Sequence, residues 1–186
     1  MCKLVPDGYF PTYRQLTPDY LISRGIRALV LDVDNTLAPY EQPDPDPALL
    51  SWLRDMRQSG VALAVVSNNH SDRIARFTRD FDFPIIAGAS KPLPKSFKKA
   101  TEILGLPPRS VAAIGDQIYT DVLAARWARF GLVVVVPPIR DKRDAFTRFK
   151  RLCERPVMRR LFRREGIAMP PKQNKKEKRS DHSDRT

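Results

Sequence analysis

Along the chain, short and wholly apolar runs alternate with longer stretches in which apolar residues return every three or four positions. Five runs, Ala28 to Leu31, Val61 to Val66, Pro84 to Ile86, Val111 to Ile114 and Leu132 to Val136, are apolar on both faces. A strand with one wet face would alternate apolar and polar residues, so these runs predict strands of a parallel sheet covered on both sides. Between them, Pro47 to Ser59 carries Leu49, Leu50, Leu53 and Met56 at helical spacing, with Asp46 as N-cap and Pro47 in the first turn. Ser71 to Phe81 puts Ile74, Phe77 and Phe81 on one face, and Ser96 to Leu104 and Thr120 to Phe130 behave likewise. Gly60, Gly105 and Gly131 follow the periodic stretches, where left-handed C-caps are expected.

Strand and helix therefore alternate, which predicts an α/β fold with a doubly wound, mostly parallel sheet. The expected organisation is an N-terminal lead packing on the core over residues 1–26, a core over 27–152, and a basic, partly disordered C-terminal segment over 153–186. The aromatics of the lead, Tyr9, Phe10, Tyr13 and Tyr20, are expected to cover a sheet edge, with contact to lipid or substrate as the alternative.

In such a sheet, ligands bind in the crevice at the carboxyl ends of the strands. The first strand ends in Asp32-Val33-Asp34-Asn35-Thr36, the second in Ser67-Asn68-Asn69, the third is soon followed by Lys91-Pro92, and the fourth ends in Gly115-Asp116 with Asp121 five residues on. One sheet edge thus collects carboxylates, a hydroxyl, amides and a lysine. Hard carboxylate oxygens with no histidine or thiolate beside them suit Mg²⁺, which binds alongside substrate phosphate. One carboxylate can attack phosphorus and form an aspartyl-phosphate, and a second just past the strand end can serve as general acid and then general base. Ser67 and a lysine would hold the phosphoryl oxygens. Each piece alone has a plainer use as a turn, a cap or a loop; their order along consecutive strand ends gives them meaning together.

Composition narrows the setting. The 186 residues, 42% of them hydrophobic, suffice for one ordinary domain. Cys2 and Cys153 match no metal spacing, and His70 and His182 are the only histidines, which argues against a zinc or disulfide framework and for a reducing compartment such as the cytoplasm. No apolar run approaches the roughly 20 residues needed to cross a bilayer, so a soluble or peripheral protein is expected. The net charge of +12 is lopsided: Arg140 to Thr186 holds 17 Lys and Arg against 7 Asp and Glu. Such a block suggests an anionic partner, lipid surface or nucleic acid, with a solvated tail as the plain alternative for Lys172 to Thr186.

The motifs DVDNT, SNN, KP and GDQIYTD, in this order over Arg27 to Pro138, resemble motifs one to four of the haloacid-dehalogenase-like (HAD) superfamily of aspartate-nucleophile phosphohydrolases. The resemblance implies that Asp32 is the nucleophile, Asp34 the general acid/base, and Ser67 and Lys91 the phosphate holders. It implies Mg²⁺ held by Asp32, by the Asp34 main-chain carbonyl and by Asp116, with Asp121 positioning Lys91 or a metal-bound water. Val33, Asn68 and Lys91 are the candidate substrate-binding positions; Lys95 is the alternative to Lys91 within KPLPK.

About ten residues follow Leu37 before the Pro47 helix, and the 23 between Ser67 and Lys91 are used by one helix and one strand, which leaves no room for a cap domain. The chain resembles the capless (subclass IIIA) YqeG and phosphatidylglycerophosphatase-like family through LVPDGYFPTYRQLTPDYLISRGIRALVLDVDNTL and KPLPKSFKKA. That likeness implies a magnesium-dependent phosphatase acting on a lipid phosphate such as phosphatidylglycerophosphate. Two other readings stay open: a soluble nucleotide or sugar-phosphate phosphatase, and a nucleic-acid or ribosome-associated protein working through its basic end. Against the last, no aromatic follows Phe162 to stack on bases.

Two apolar stripes mark the C-terminal region. Phe146, Phe149 and Leu152 form one, expected to pack on the sheet. Pro156 is expected to break the helix, and Val157, Met158, Leu161 and Phe162 form a second stripe among five arginines. The second suits either an interfacial membrane helix or further packing.

Overall fold

The computed structural model describes residues 4–70, 72–140 and 145–166, with side chains in the last helix from residue 152 onwards. Six strands form one sheet: β1 (Gly8–Tyr9), β2 (Ala28–Leu31), β3 (Ala62–Val66), β4 (Ile85–Ile86), β5 (Val111–Gly115) and β6 (Leu132–Val135). Their order is β1-β6-β5-β2-β3-β4, and every pairing is parallel. The helices are α1 (Pro18–Ile22), α2 (Pro47–Gln58), α3 (Asp72–Phe77), α4 (Lys95–Leu104), α5 (Leu123–Trp127) and α6 (Ala145–Glu165).

Period two along the strands divides the core. Leu29, Leu31, Leu63, Val65 and Ile114 point to one face, where Leu49, Leu53 and Met56 of α2, Ile74 and Phe77 of α3, and Tyr13, Leu16 and Leu21 of the lead cover them. Val30, Val66, Ala113, Val133 and Val135 point to the other face, under Phe97 of α4, Ala124 and Ala125 of α5, and Leu161 of α6. Helices on both faces make the sheet doubly wound, and the short connections after β2 and β3 leave it without a cap domain.

Four features depart from the sequence expectations. The lead does more than cover an edge: Gly8 and Tyr9 pair with Val134 and Val135 as a sixth strand, and Trp52 Nε1 donates to the Leu16 carbonyl at 3.0 Å. Its aromatics pack within the protein, Phe10 on Tyr20 and Tyr13 on Trp52. Gly131 is not a left-handed cap. The positive φ falls on Arg129, and a Cβ at 131 would collide with the Arg109 carbonyl, so the glycine serves close backbone approach. The helix expected to reach Phe81 ends at Phe77, and Phe81 returns to stack edge-on against it at 6.0 Å.

The largest departure is α6, which runs unbroken through Pro156. Proline removes one helical hydrogen bond, that to the Leu152 carbonyl. Packing on either side holds the helix: Glu154 is buried, as are Leu161 and Phe162. Phe162 meets Tyr9 edge-on at 4.8 Å, and Val157 and Met158 lie against the second core cluster. The second stripe therefore packs on the fold, and the helix runs past residue 152. Arg155, Arg159, Arg160 and Arg163 remain on its exposed side. Phe146 and Phe149 of the first stripe, and the tail from Lys172, lie outside the described side chains. No helix among the described residues is long and apolar enough to cross a membrane.

Candidate active site

The carboxyl end of β2 makes the first wall. After Asp32 the chain folds back on itself: the amides of Thr36, Leu37 and Ala38 converge on the Val33 carbonyl at 3.2, 3.0 and 3.2 Å. Asn35 takes the left-handed conformation, φ 65°, that this tight turn requires and that asparagine tolerates. The turn brings Thr36 Oγ1 to donate to Asp32 Oδ2 at 2.6 Å. Val33 is fully buried, its carbonyl taken by these three amides.

Lys91 arrives from the loop after β4. Its main chain is bracketed by Asn68, whose Oδ1 accepts from Lys91 N at 2.6 Å and whose Nδ2 donates to Lys91 O at 3.2 Å. The Asn68 amide is thus occupied in holding the lysine. Lys91 Nζ donates to Asp32 Oδ1 at 2.5 Å, Asp121 Oδ1 at 2.6 Å and the Val66 carbonyl at 3.2 Å. Lys95 is exposed in the first turn of α4. Ser67 is buried at the end of β3, its Oγ accepting from the Asn69 amide at 3.1 Å.

The last wall follows β5. A π-turn over Ile118–Val122 precedes α5 and carries Asp121 back towards the strand end. Gly115 is what makes room for it, since a Cβ there would strike the Asp121 side chain. Asp121 Oδ2 accepts from the Gln117 amide and from Thr120 Oγ1, both at 3.2 Å. Glu154 of α6 steadies the same turn by accepting from the Ile118 amide at 2.9 Å.

Asp32, Asp116 and Asp121 are buried, with one carboxylate oxygen of each within 4.8 Å of the others. Burial pushes the Asp32 carboxyl up to about 6, against the pull of Lys91, and the neighbouring Asp121 adds to the rise. Burial alone would lower the Lys91 ammonium; the charges of Asp121 and Asp32 outweigh it and raise it above the usual lysine range. Counting Asp32, Asp34, Asp116 and Asp121 against Lys91 and Arg73, the ionised group carries a surplus of two negative charges. An all-oxygen donor set with that surplus suits a hard divalent cation.

The structure brings Asp32, Lys91, Asp116 and Asp121 together, with Asp34, Ser67 and Asn68 on the adjoining strand ends. Sequence reasoning missed Thr36 and Arg73. Arg73 Nη1 donates to Asp34 Oδ1, and Asn69 Nδ2 reaches Asp34 Oδ2 at 3.2 Å. The available signal was position: α3 starts at the carboxyl edge of β3, so a charged residue in its first turn borders the crevice.

The chain is 32% identical over 163 residues to "Probable phosphatase YqeG" of Bacillus subtilis (strain 168), covering 88% of this chain and 94% of that protein. The family model described as "Hydrolase: haloacid dehalogenase-like hydrolase" matches residues 38–129. This chain belongs to the haloacid dehalogenase-like hydrolases and is a phosphatase of the YqeG kind. It is also 27% identical over 135 residues to "Glyceraldehyde 3-phosphate phosphatase" of Pyrococcus furiosus, covering 61% of this chain and 56% of that protein. A solved structure of an uncharacterized protein from Listeria monocytogenes serotype 4b shares the fold, with TM-score 0.50 and 17% identity over 64% of this chain and 85% of the other.

Proposed function

We propose that this phosphatase hydrolyses phosphomonoesters in two steps, with Asp32 as nucleophile and Mg²⁺ as its ion. The observation that carries the reading is the buried contact of the Lys91 ammonium with Asp32 and Asp121, beside Asp116. Asp32 and Asp116 would hold the ion with the Asp34 main-chain carbonyl, and when bound it would supply positive charge against the phosphate oxygens. Thr36 and Lys91 hold the Asp32 carboxylate between two donors, so its rotamer is fixed before substrate arrives. With both Asp121 oxygens on protein donors, its role is to position Lys91. Ser67, Lys91 and the Val33 main chain would take the phosphoryl oxygens, while Asn68 serves by fixing the lysine.

For the substrate we infer a lipid phosphate such as phosphatidylglycerophosphate. Among the described residues no cap encloses a small metabolite, and Tyr40, Leu93 and Ile139, close in the chain to the flap, Lys91 and the end of β6, are exposed and apolar. Ile139 adjoins the turn by donating its amide to the Asn35 carbonyl at 3.0 Å. A soluble substrate is the second reading, favoured by the similarity to the Pyrococcus phosphatase.

Peripheral attachment to an anionic surface through the arginines of α6 belongs to the lipid reading. Their placement limits it: Glu154 of α6 meets the turn after β5 at the Ile118 amide, and Arg164 further along reaches the carbonyls of Pro6 and Asp7 at 2.6 and 2.8 Å. With the apolar stripe packed on the core, an anionic surface would be held by these arginines through electrostatics.

The test is a Mg²⁺ phosphatase screen comparing phosphatidylglycerophosphate in mixed micelles with glyceraldehyde 3-phosphate, sugar phosphates and nucleotides. Turnover of the micellar lipid well above every soluble ester is expected; equal or better turnover of a soluble ester overturns the lipid assignment and leaves the chemistry standing.

A further inference from the structure

We propose that Arg73 is a positioning residue for proton transfer, holding the Asp34 carboxylate and tying it to the short flap, residues 38–45, that follows β2. The inference rests on the reading of Asp34 as general acid/base. One guanidinium meets three acceptors: Nη1 donates to Asp34 Oδ1, Nη2 to the Pro39 carbonyl at 2.8 Å, and Nε to the Tyr40 carbonyl at 2.6 Å. The group lies against the Phe77 and Tyr40 rings, its central carbon 5.4 and 5.7 Å from their centroids. The Arg73 side chain is 15% exposed and that of Asp34 8%, so water competes little for either. Asn69 occupies the other Asp34 oxygen. Arg76, also on α3, holds Asp44 of the same flap at 2.6 Å.

The geometry suits arginine and no other cation. A planar fork can address a carboxylate on one side and two carbonyls on the other, whereas an ammonium is a point charge that cannot span the three. In many phosphatases of this superfamily a cap domain covers the site; here Arg73 joins Asp34 to the flap.

An Asp32 oxygen bonds to phosphorus as the bond to the ester oxygen breaks, and the proton of Asp34 passes to the departing oxygen, giving the alcohol. Water then attacks the aspartyl-phosphate, Asp34 takes its proton, and the bond between phosphorus and Asp32 breaks to release phosphate. An alkyl leaving group needs the first proton; a nitrophenolate does not. Misplacing a catalytic group by about 1 Å can cost on the order of 10²-fold.

The experiment measures Asp34→Asn, Arg73→Ala and Arg73→Lys on p-nitrophenyl phosphate and on glycerol 3-phosphate, with Mg²⁺, by rapid quench and at steady state. Asp34→Asn should slow the phosphorylation step far more with the alkyl ester than with the aryl ester. Arg73→Ala should repeat that selectivity, with kcat on the alkyl ester lower by about 10- to 100-fold and KM within about threefold. Millimolar guanidinium should restore part of the Arg73→Ala rate, and Arg73→Lys, which keeps the charge and aids folding, should stay slow on the alkyl ester. If Asp34→Asn shows the selectivity but the Arg73 variants slow both esters equally, change KM alone, or are fully restored by lysine, the positioning role is refuted. If Asp34→Asn itself lacks the selectivity, the general acid/base reading beneath it fails instead.

Discussion

Replacing Lys91 with methionine tests the centre of the site, because chain length is nearly kept while the charge goes. In the native protein the ammonium satisfies Asp32, Asp121 and the Val66 carbonyl in a buried setting. Its loss leaves two buried carboxylates facing each other. Removing one partner of a buried ion pair costs about 3–5 kcal/mol. For a domain of this size that lowers Tm by roughly 6 to 20 °C. Turnover has a separate cause: a preorganised charge aimed at the transferring phosphoryl group is worth on the order of 10²- to 10³-fold in kcat.

The two losses can be pulled apart. In Lys91→Met/Asp121→Asn the surplus returns from three negative charges to the native two, so melting in EDTA should recover much of the lost Tm while kcat stays low, a coupling that a double-mutant cycle reads directly. Lys95→Met, on the exposed first turn of α4, should alter stability by less than about 0.5 kcal/mol and leave kcat unchanged. The assays are thermal melts and steady-state hydrolysis of p-nitrophenyl phosphate. Turnover of Lys91→Met within threefold of wild type, or recovery of turnover in the double variant, would refute a role for the ammonium in phosphoryl stabilisation.

Asp32→Asn should keep the fold and lower aryl phosphate hydrolysis by several orders of magnitude, with EDTA imitating it on the wild type; near-normal turnover of the variant removes the aspartyl-phosphate mechanism. Because burial raises the Asp32 carboxyl to about 6, the folded metal-free protein holds a proton that the unfolded chain has released between roughly pH 4 and 6. Its contribution to stability is therefore lost as pH rises through that window, and Mg²⁺, which binds the ionised form, should raise Tm more at pH 7.5 than at pH 5; the opposite order contradicts the assignment. Leu161→Ala should cost about 2–5 kcal/mol in urea unfolding, since that side chain is fully buried under the sheet; a cost near zero would return α6 to the status of an appendage.

Much of this fold is legible in sequence for a specific reason. Strands buried on both faces need unbroken apolar runs, and Ala28 to Leu31 or Leu132 to Val135 cannot read as anything wetter. β1 was illegible because two residues, Gly8 and Tyr9, carry no period; they become a strand only where β6 offers its open edge. Pro156 misled for a related reason. The rule that proline ends a helix concerns the local hydrogen bond, while here the burial of Glu154, Leu161 and Phe162 on either side outweighs the single bond lost.

The site divides along the same line. Asp32, Ser67 and Asp116 stand directly at strand ends, where topology alone puts them on one edge, and Lys91 follows in the loop after β4. Arg73 is set there by a helix whose first turn borders the crevice, and its acceptors are main-chain carbonyls of Pro39 and Tyr40 that no side-chain pattern marks. The basic end presents the converse problem: the alternation of apolar and arginine residues after Arg155 is the same whether the apolar side meets lipid or a sheet. Only the position of β1 decides it, because Tyr9 supplies the ring against which Phe162 packs, and once that face is covered, any anionic partner must be held by the outward arginines through charge and released by salt.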